Sequence, residues 1–99
     1  MITFMTRARI VGDTHEVREW ANELGTLVGK IAKVRPEIAV RIGGDAEVIV
    51  LTHFEKMADL EEQIETVEAD AGYKNLVQSA VANGYFDMTT VEHGIWKSA

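Results

Sequence analysis

Two histidines lie in segments whose pattern predicts β-strands, and both could exchange protons near neutral pH. His53 follows Ile49 and Leu51 on one side of the apolar segment EVIVLTHFE, and Glu55 is next along that side. A histidine on an apolar strand face can serve as a general acid or base. It can also be a partly buried side chain that bonds a backbone carbonyl. His53 is therefore a candidate catalytic residue, with a structural role as the alternative.

His93 is the second candidate catalytic residue, in the C-terminal segment YFDMTTVEHGIW. Regular alternation along a strand places it on the same side as Asp87 and on the opposite side from Trp96. A bulge at Gly94 would change that assignment. One hypothesis puts His93 near Asp87 or His53 in a polar pocket. The alternative puts it in the seam of a dimer.

Small residues interrupt the apolar stripe of the first predicted helix. Gly25 and Gly29 each cost about 1 kcal/mol relative to alanine inside a helix. With Ala21 and Ala32 they form a strip against which a ligand could lie, or to which a strand or a second helix could come close. Aromatic and polar residues on neighbouring elements would complete a pocket. The candidate lining residues are Trp20, Leu24, Gly25, Tyr73, Tyr85 and Asp87.

Three arginines lie in predicted strands and could hold an anionic substrate group. They are Arg7, Arg9 and Arg41. The alternative is that they form salt bridges across the sheet with Glu37, Glu47 or Glu92. His15 and Glu19 are four residues apart and could share a metal ion, but two exposed ligands make a weak site. We therefore predict no metal site and no bound cofactor.

Composition excludes several classes of function. The net charge of −6 disfavours binding to nucleic acid or to an anionic membrane, because both need a basic surface. Much of the acidity falls in residues 59–70, typical of a solvated helix face, although it could also dock a basic partner. Cysteine is absent. The N-terminal segment lacks the pattern of a signal peptide, and no apolar run is long enough to span a membrane. We expect a cytoplasmic protein with one domain, residues 1–99.

Hydrophobic periodicity predicts the elements in order. Residues 2–11 alternate with period two, which indicates a strand. Asp13 is a good N-cap for an amphipathic helix that ends before Pro36. Residues 37–55 read as a hairpin around the turn GGDA, with Ile38, Val40 and Ile42 on one side of its first strand.

The second half of the sequence, from residue 57, predicts two further helices and a strand. Residues 57–70 form an amphipathic helix, Asp70 caps a short third one, and the Asn-Gly pair at 83–84 ends it. Residues 85–96 form the last strand. The resulting β-α-β-β-α-β order is a ferredoxin-like α+β subunit with a four-stranded antiparallel sheet. Its strands are apolar on both sides, so we expect a homodimer in which two sheets pack face to face.

This pattern resembles the dimeric α/β-barrel superfamily, in particular small NIPSNAP-like and antibiotic-biosynthesis-monooxygenase-like proteins. The segments that carry the resemblance are MITFMTRARI, IGGDAEVIVLTHFEKMADLEE and VEHGIW. The resemblance implies a dimeric barrel with a pocket between helices and sheet, but no single reaction. Haem-degrading members use asparagine, tryptophan and histidine, but Asn22 and Trp20 do not align with that pattern.

Two functional hypotheses follow. The first is a cofactor-independent enzyme of monooxygenase, lyase or isomerase type that acts on a small aromatic or polyketide-like molecule. His53 or His93 would be its acid or base. The second is a non-catalytic dimeric module that binds a ligand or a protein partner, for example through residues 59–70.

Overall fold

The computed structural model describes residues 1–32, 34–41 and 43–99 and contains four strands and three helices in the predicted order. The elements are β1 (Ile2–Ile10), α1 (Thr14–Ala32), β2 (Glu37–Val40), β3 (Glu47–Phe54), α2 (Met57–Ala69), α3 (Ala71–Ala82) and β4 (Phe86–Lys97). The strands form one sheet in the order β2-β3-β1-β4, and every neighbouring pair is antiparallel. The predicted ferredoxin-like α+β fold is confirmed.

Side chains at the helix ends explain where the helices begin. Asp13 accepts a hydrogen bond from the backbone N–H of Glu16 at 3.0 Å, and Asp70 accepts one from Tyr73 at 2.9 Å. Each carboxylate satisfies a donor that the first turn of a helix leaves unpaired. Gly84, beyond the end of α3, has a φ of 63° that suits glycine. The predicted N-caps Asp13 and Asp70 are therefore both confirmed.

The central hairpin also follows the sequence. Gly43 and Gly44 have φ angles of 90° and 66° and reverse the chain between β2 and β3. Below them the backbone N–H of Arg41 donates to the Glu47 carbonyl at 2.8 Å. Ile42, predicted to continue the apolar side of β2, lies outside the described residues.

A β-bulge divides β4 into two parts. Pairing with β1 runs from Lys97 back to Glu92 and resumes at Asp87, so that the β4 residues between them face Ala8 alone. The Thr90 hydroxyl accepts the backbone N–H of Arg9 at 2.9 Å and donates to the Asp87 carbonyl at 2.7 Å. The side chain thus replaces a ladder hydrogen bond where the register shifts. Phe86 and His93 consequently face the same side of the sheet, contrary to the regular alternation predicted.

The helices cover one side of the sheet, here called the helix face, and the core on that side is split. One buried cluster holds Ala8, Ile10, Val17 and Val48. The other holds Ile2, Phe54 and Leu60. Thr6 and its β3 partner Val50 lie between the two clusters along the strands. The middle of the helix face is therefore less tightly filled than its ends.

The opposite side, here called the open face, is not covered by any helix. Met5 and Trp96 lie on it with Gly94, and a Cβ atom built on Gly94 would be 3.2 Å from both the Met5 methyl and the Trp96 indole nitrogen. Met5 is only 6% exposed, whereas Trp96 is 64% exposed. Half-buried Ile49 and Leu51 continue the apolar surface on β3. Both sides of the sheet thus carry apolar residues, as predicted.

Candidate active site

A cavity of about 370 Å³ occupies the gap between the two core clusters. Its floor is the helix face of β1, β3 and β4, and its walls come from all three helices. Ligand pockets commonly have volumes of roughly 300–1,000 Å³, so a small molecule fits. Most of the lining is apolar. The lining residues with polar or titratable side chains on this face are Thr6, Thr52, Gln63, Glu68, Tyr73 and His93.

His93 is the histidine of this cavity, and two residues of β1 hold its ring. Thr6 lies directly opposite it in the register, and the Thr6 hydroxyl is 2.9 Å from His93 Nδ1. Phe4 stacks on the imidazole with ring centroids 5.9 Å apart and planes 4° from parallel. Because Nδ1 bonds Thr6, Nε2 is the nitrogen left for a molecule in the cavity.

Trp20 and Leu24 form part of the α1 wall, as predicted. The Trp20 indole N–H donates to the Leu76 carbonyl of α3 at 2.8 Å. Its ring meets Phe86 of β4 edge to face, with centroids 5.2 Å apart. The indole is therefore tied to two other elements, so this wall is fixed before any ligand arrives.

Tyr73, at the start of α3, also lines the cavity, as predicted. Burial raises the pKa of its phenol, and the nearby Glu68 carboxylate raises it further. The hydroxyl therefore stays protonated at neutral pH and can donate a hydrogen bond. The amide of Gln63 on α2 is already engaged, because it donates to the Ala32 carbonyl at 2.9 Å.

His53 lies on the open face and does not line this cavity. Its Nδ1 is 2.9 Å from the Thr3 hydroxyl, and its Nε2 is 3.6 Å from a Glu37 carboxylate oxygen. The residue also borders an open depression beside the end of α1 and the start of α2. The hypothesis that His53 and His93 share a pocket is wrong, since β1 side chains of opposite parity hold the two rings.

Asp87 does not approach His93 either. It pairs with Arg9 on the open face, where its carboxylate accepts bonds from the Thr89 hydroxyl at 2.6 Å and the Thr89 backbone N–H at 3.0 Å. These bonds, assisted by Arg9, lower the pKa of Asp87. The prediction that Asp87 lines the pocket with His93 is wrong, because the bulge reverses the alternation between them.

Tyr85 and Gly25 are also absent from the cavity lining, so both predictions are wrong. Tyr85 packs against the core cluster around Val17, at one end of the helix face. A Cβ atom added to Gly25 would lie 3.1 Å from the Ile38 side chain of β2. Close approach of β2, the alternative to a ligand site, therefore accounts for Gly25, whereas a Cβ atom on Gly29 would lie 3.4 Å from Arg35, which precedes β2.

The strand arginines form salt bridges, as the alternative predicted. Arg7 contacts Glu92 at 2.7 Å, and Arg41 contacts Glu47 at 3.6 Å. Arg9 reaches Asp45 at 4.0 Å, a partner that the sequence did not indicate. His15 and Glu19 form an exposed pair 3.2 Å apart.

Sequence reasoning missed the residues that orient His93. Thr6 and Phe4 lie within the predicted first strand, but no feature of the alternation linked them to His93 in the last strand. The signal available was the cluster Asp-Met-Thr-Thr at 87–90, whose short polar side chains favour local backbone hydrogen bonds over a regular strand. With the bulge placed there, β4 pairs Thr6 with His93.

Residues 1–32, 34–41 and 43–99 contain no cluster of three or more histidine, cysteine or acidic side chains that could hold a metal ion. Their helices include none with the length and apolar character needed to cross a membrane. Asn22 is exposed on α1 and does not line the cavity, so it does not join Trp20 and His93 in one site.

The same fold occurs in several solved structures at low sequence identity. An uncharacterized NIPSNAP-like domain protein from Burkholderia xenovorans superposes with a TM-score of 0.79 at 12% identity, covering 99% of this chain and 84% of that one. A NIPSNAP family protein from Agrobacterium tumefaciens gives a TM-score of 0.77 at 17% identity, with 99% and 92% covered. The predicted resemblance is thus confirmed at the level of fold.

One similar structure is an enzyme. SnoaB, a cofactor-independent oxygenase from Streptomyces nogalater, superposes with a TM-score of 0.74 at 14% identity, covering 99% of this chain and 92% of that one. No protein-family model matches this chain, and no curated protein matches it. Identities this low establish a shared fold and leave the chemistry to be argued from the site.

Proposed function

We propose that this protein binds a small, largely apolar molecule in the helix-face cavity and converts it without a cofactor, in a reaction of monooxygenase, lyase or isomerase type. The observation that carries the proposal is one oriented histidine, His93, in a cavity of about 370 Å³ with mostly apolar walls. An aromatic or polyketide-like molecule suits such walls. The fold shared with SnoaB, a cofactor-independent oxygenase, supports the proposal of a cofactor-independent reaction.

His93 is the group proposed to exchange a proton or hydrogen bond with the ligand. Its ring is fixed by Thr6 and Phe4, so little ordering is left to occur when the ligand binds. His93 is exposed as well as lining the cavity, so a molecule bound there can reach its ring. His53 is not proposed to act in this cavity, because its ring lies on the other side of the sheet.

The first experiment identifies the ligand. Mass spectrometry of the purified protein would reveal a molecule retained from the host, and its binding can be followed through Trp20 in a Trp96→Phe variant, which leaves one tryptophan. Val77 lines the cavity, so Val77→Phe should fill it and weaken binding at least tenfold. Val11→Phe is the matched control, since Val11 is 57% exposed and lines no part of the cavity. Equal affinity in the two variants would place the ligand elsewhere.

We also propose that two copies pack their open faces together as a homodimeric α/β barrel. Trp96 at 64% exposure beside half-buried Ile49 and Leu51 is an apolar surface that water disfavours. Salt bridges such as Arg7–Glu92 put both signs of charge on this side, so a second copy meets no uniform repulsion. Sedimentation at micromolar concentration tests the dimer. Leu51→Glu should yield monomers and Val11→Glu should not.

A non-catalytic module remains the second candidate, favoured by the exposed acids of α2, including Glu61, Glu62 and Glu65. On this alternative the protein docks a basic partner, and binding weakens as salt rises. Binding would then survive both His53→Ala and His93→Ala. Loss of ligand turnover in His93→Ala alone favours the enzyme.

A further inference from the structure

We infer that Thr6 is a positioning residue that makes His93 present its Nε2 proton to the cavity, so that the site selects ligands carrying an oxygen acceptor. This inference deepens the proposed function and rests on the cavity being the ligand site. It assigns His93 one role, hydrogen-bond donor, where the sequence left acid and base open.

Cross-strand geometry fixes the ring. Thr6 and His93 are directly opposed residues of neighbouring antiparallel strands, the closest side-chain relationship in a sheet. Their 2.9 Å contact decides which ring nitrogen turns towards β1. Phe4, on the same side of β1, stacks almost parallel to the imidazole and sets its plane. Together they leave one orientation in which Nε2 points away from Thr6.

Hydrogen-bond accounting then assigns the donor. A threonine hydroxyl has one proton to donate, and a neutral imidazole has one N–H and one acceptor nitrogen. Within the described part of the chain, the Thr6 hydroxyl has one hydrogen-bonding partner, His93 Nδ1. The hydroxyl proton has no other acceptor among those residues. In the reverse arrangement the half-buried hydroxyl would need a further acceptor for its own proton, whereas donation to Nδ1 satisfies that proton with the partner already in contact. The hydroxyl therefore donates to Nδ1, and the ring proton lies on Nε2.

A donor in a mostly apolar cavity discriminates between ligands. A carbonyl or other oxygen acceptor bonds Nε2–H, whereas a hydrocarbon of the same shape leaves that donor unpaired. A protonated amine, which offers only donors, is disfavoured for the same reason. The site should therefore prefer an aromatic molecule with a carbonyl or related oxygen to its hydrocarbon counterpart.

The proton position is testable by nitrogen-15 NMR of protein labelled at histidine, at pH 8, where ordinary imidazoles are neutral. His15, His53 and His93 are assigned from single His→Gln variants. We expect His93 to show protonated Nε2 and unprotonated Nδ1. In Thr6→Val, which keeps the side-chain shape, the Nδ1–H form should appear alongside it, whereas Thr6→Ser should resemble the wild type. Thr3→Val is the matched control and should alter His53 alone.

Protonated Nδ1 in the wild type would overturn the inference, as would a Thr6→Val spectrum unchanged at His93. If Thr6→Val fails to fold, the wild-type and Thr6→Ser spectra still decide the proton position. None of these NMR measurements depends on catalysis or on a natural ligand. They can therefore succeed or fail separately from the proposed function.

Ligand selection is tested with two probes of similar shape, 2-acetylnaphthalene and 2-ethylnaphthalene, by ligand-observed NMR titration. One added hydrogen bond should give the ketone roughly three- to tenfold tighter binding to the wild type. His93→Ala should lose that preference, Thr6→Val, which retains part of the Nε2–H form, should weaken it, and both should still bind the hydrocarbon. Equal binding of both probes to the wild type would overturn the selection step. Failure of both probes to bind would instead count against the cavity as the ligand site.

Discussion

Two threonine–histidine pairs lie on opposite sides of β1 and use the same contact. Thr6 bonds His93 Nδ1 on the helix face, and Thr3 bonds His53 Nδ1 on the open face, both at 2.9 Å. Their surroundings differ. The second ring nitrogen of His53 has Glu37 at 3.6 Å, whereas His93 borders a cavity. Residue type and local geometry are therefore shared, and the side of the sheet separates a candidate catalytic group from a structural one.

The largest expected effect is on activity, and it tests whether His93 acts in catalysis and His53 does not. With the substrate found by co-purification, His93→Ala should lower kcat/KM by about 10²-fold or more, as expected for loss of a catalytic proton donor or acceptor. His53→Ala, the matched variant on the open face, should change it less than about threefold. Steady-state kinetics measure both. A larger loss in His53→Ala would reverse the roles assigned to the two faces.

The free energy of unfolding should also respond differently to substitutions on the two faces. Leu60 is 1% exposed in the helix-face core, so Leu60→Ala should lower the free energy of unfolding by about 2–5 kcal/mol at every protein concentration. Leu51 is half-buried on the open face, so Leu51→Ala should cost less in the monomer. Urea denaturation at two concentrations measures both. A concentration-independent loss in Leu51→Ala would contradict a dimer through that face.

The bulge determines which face each β4 side chain lies on, and the Thr90 hydroxyl forms two hydrogen bonds there. Thr90→Val removes the acceptor of the Arg9 backbone N–H and should lower the free energy of unfolding by about 1 kcal/mol. Thr26→Val on the exposed side of α1 serves as a control for the general effect of the substitution. Thermal denaturation compares the two. Equal melting temperatures would mean that the bulge does not need this bond.

The smallest effects concern pH, with opposite signs on the two faces. Burial, with help from Glu68, raises the pKa of Tyr73, so its contribution to stability is present below the ordinary tyrosine pKa and is lost as pH rises through the raised value. Asp87 has a lowered pKa, so its contribution is present above the ordinary aspartate pKa and is lost as pH falls through the lowered value. Tyr73→Phe should flatten the alkaline limb of a stability–pH curve. Asp87→Asn should flatten the acid limb, and an exchange of these effects would refute both assignments.

The sequence predicted the elements well because their signals are local. Asp13 and Asp70 cap helices within three residues of themselves, and the glycines at 43–44 turn the chain where they stand. Alternation over residues 2–11 predicted the first strand, which spans Ile2–Ile10. The ferredoxin-like order followed from these local patterns.

The site was predicted only in part because it depends on register between distant strands. Trp20, Leu24 and Tyr73 follow from helix periodicity and do line the cavity. The position of Asp87 relative to His93 required the bulge between them, which alternation cannot show. Gly25 was ambiguous for another reason, since a gap in a side-chain stripe does not reveal whether a ligand or Ile38 fills it.

The Thr90 bulge makes the chemistry of this protein sensitive to chain length. Glu92 is five residues after Asp87, yet both pair on the open face, so the bulge is what keeps His93 on the helix face at this length. A regular strand of the same length would place His93 on the side of Asp87, and its imidazole would leave the cavity. In a related chain, a regular strand could keep the histidine in the cavity only if the segment between these two positions were shorter by one residue, so the bulge and the length of the segment must change together.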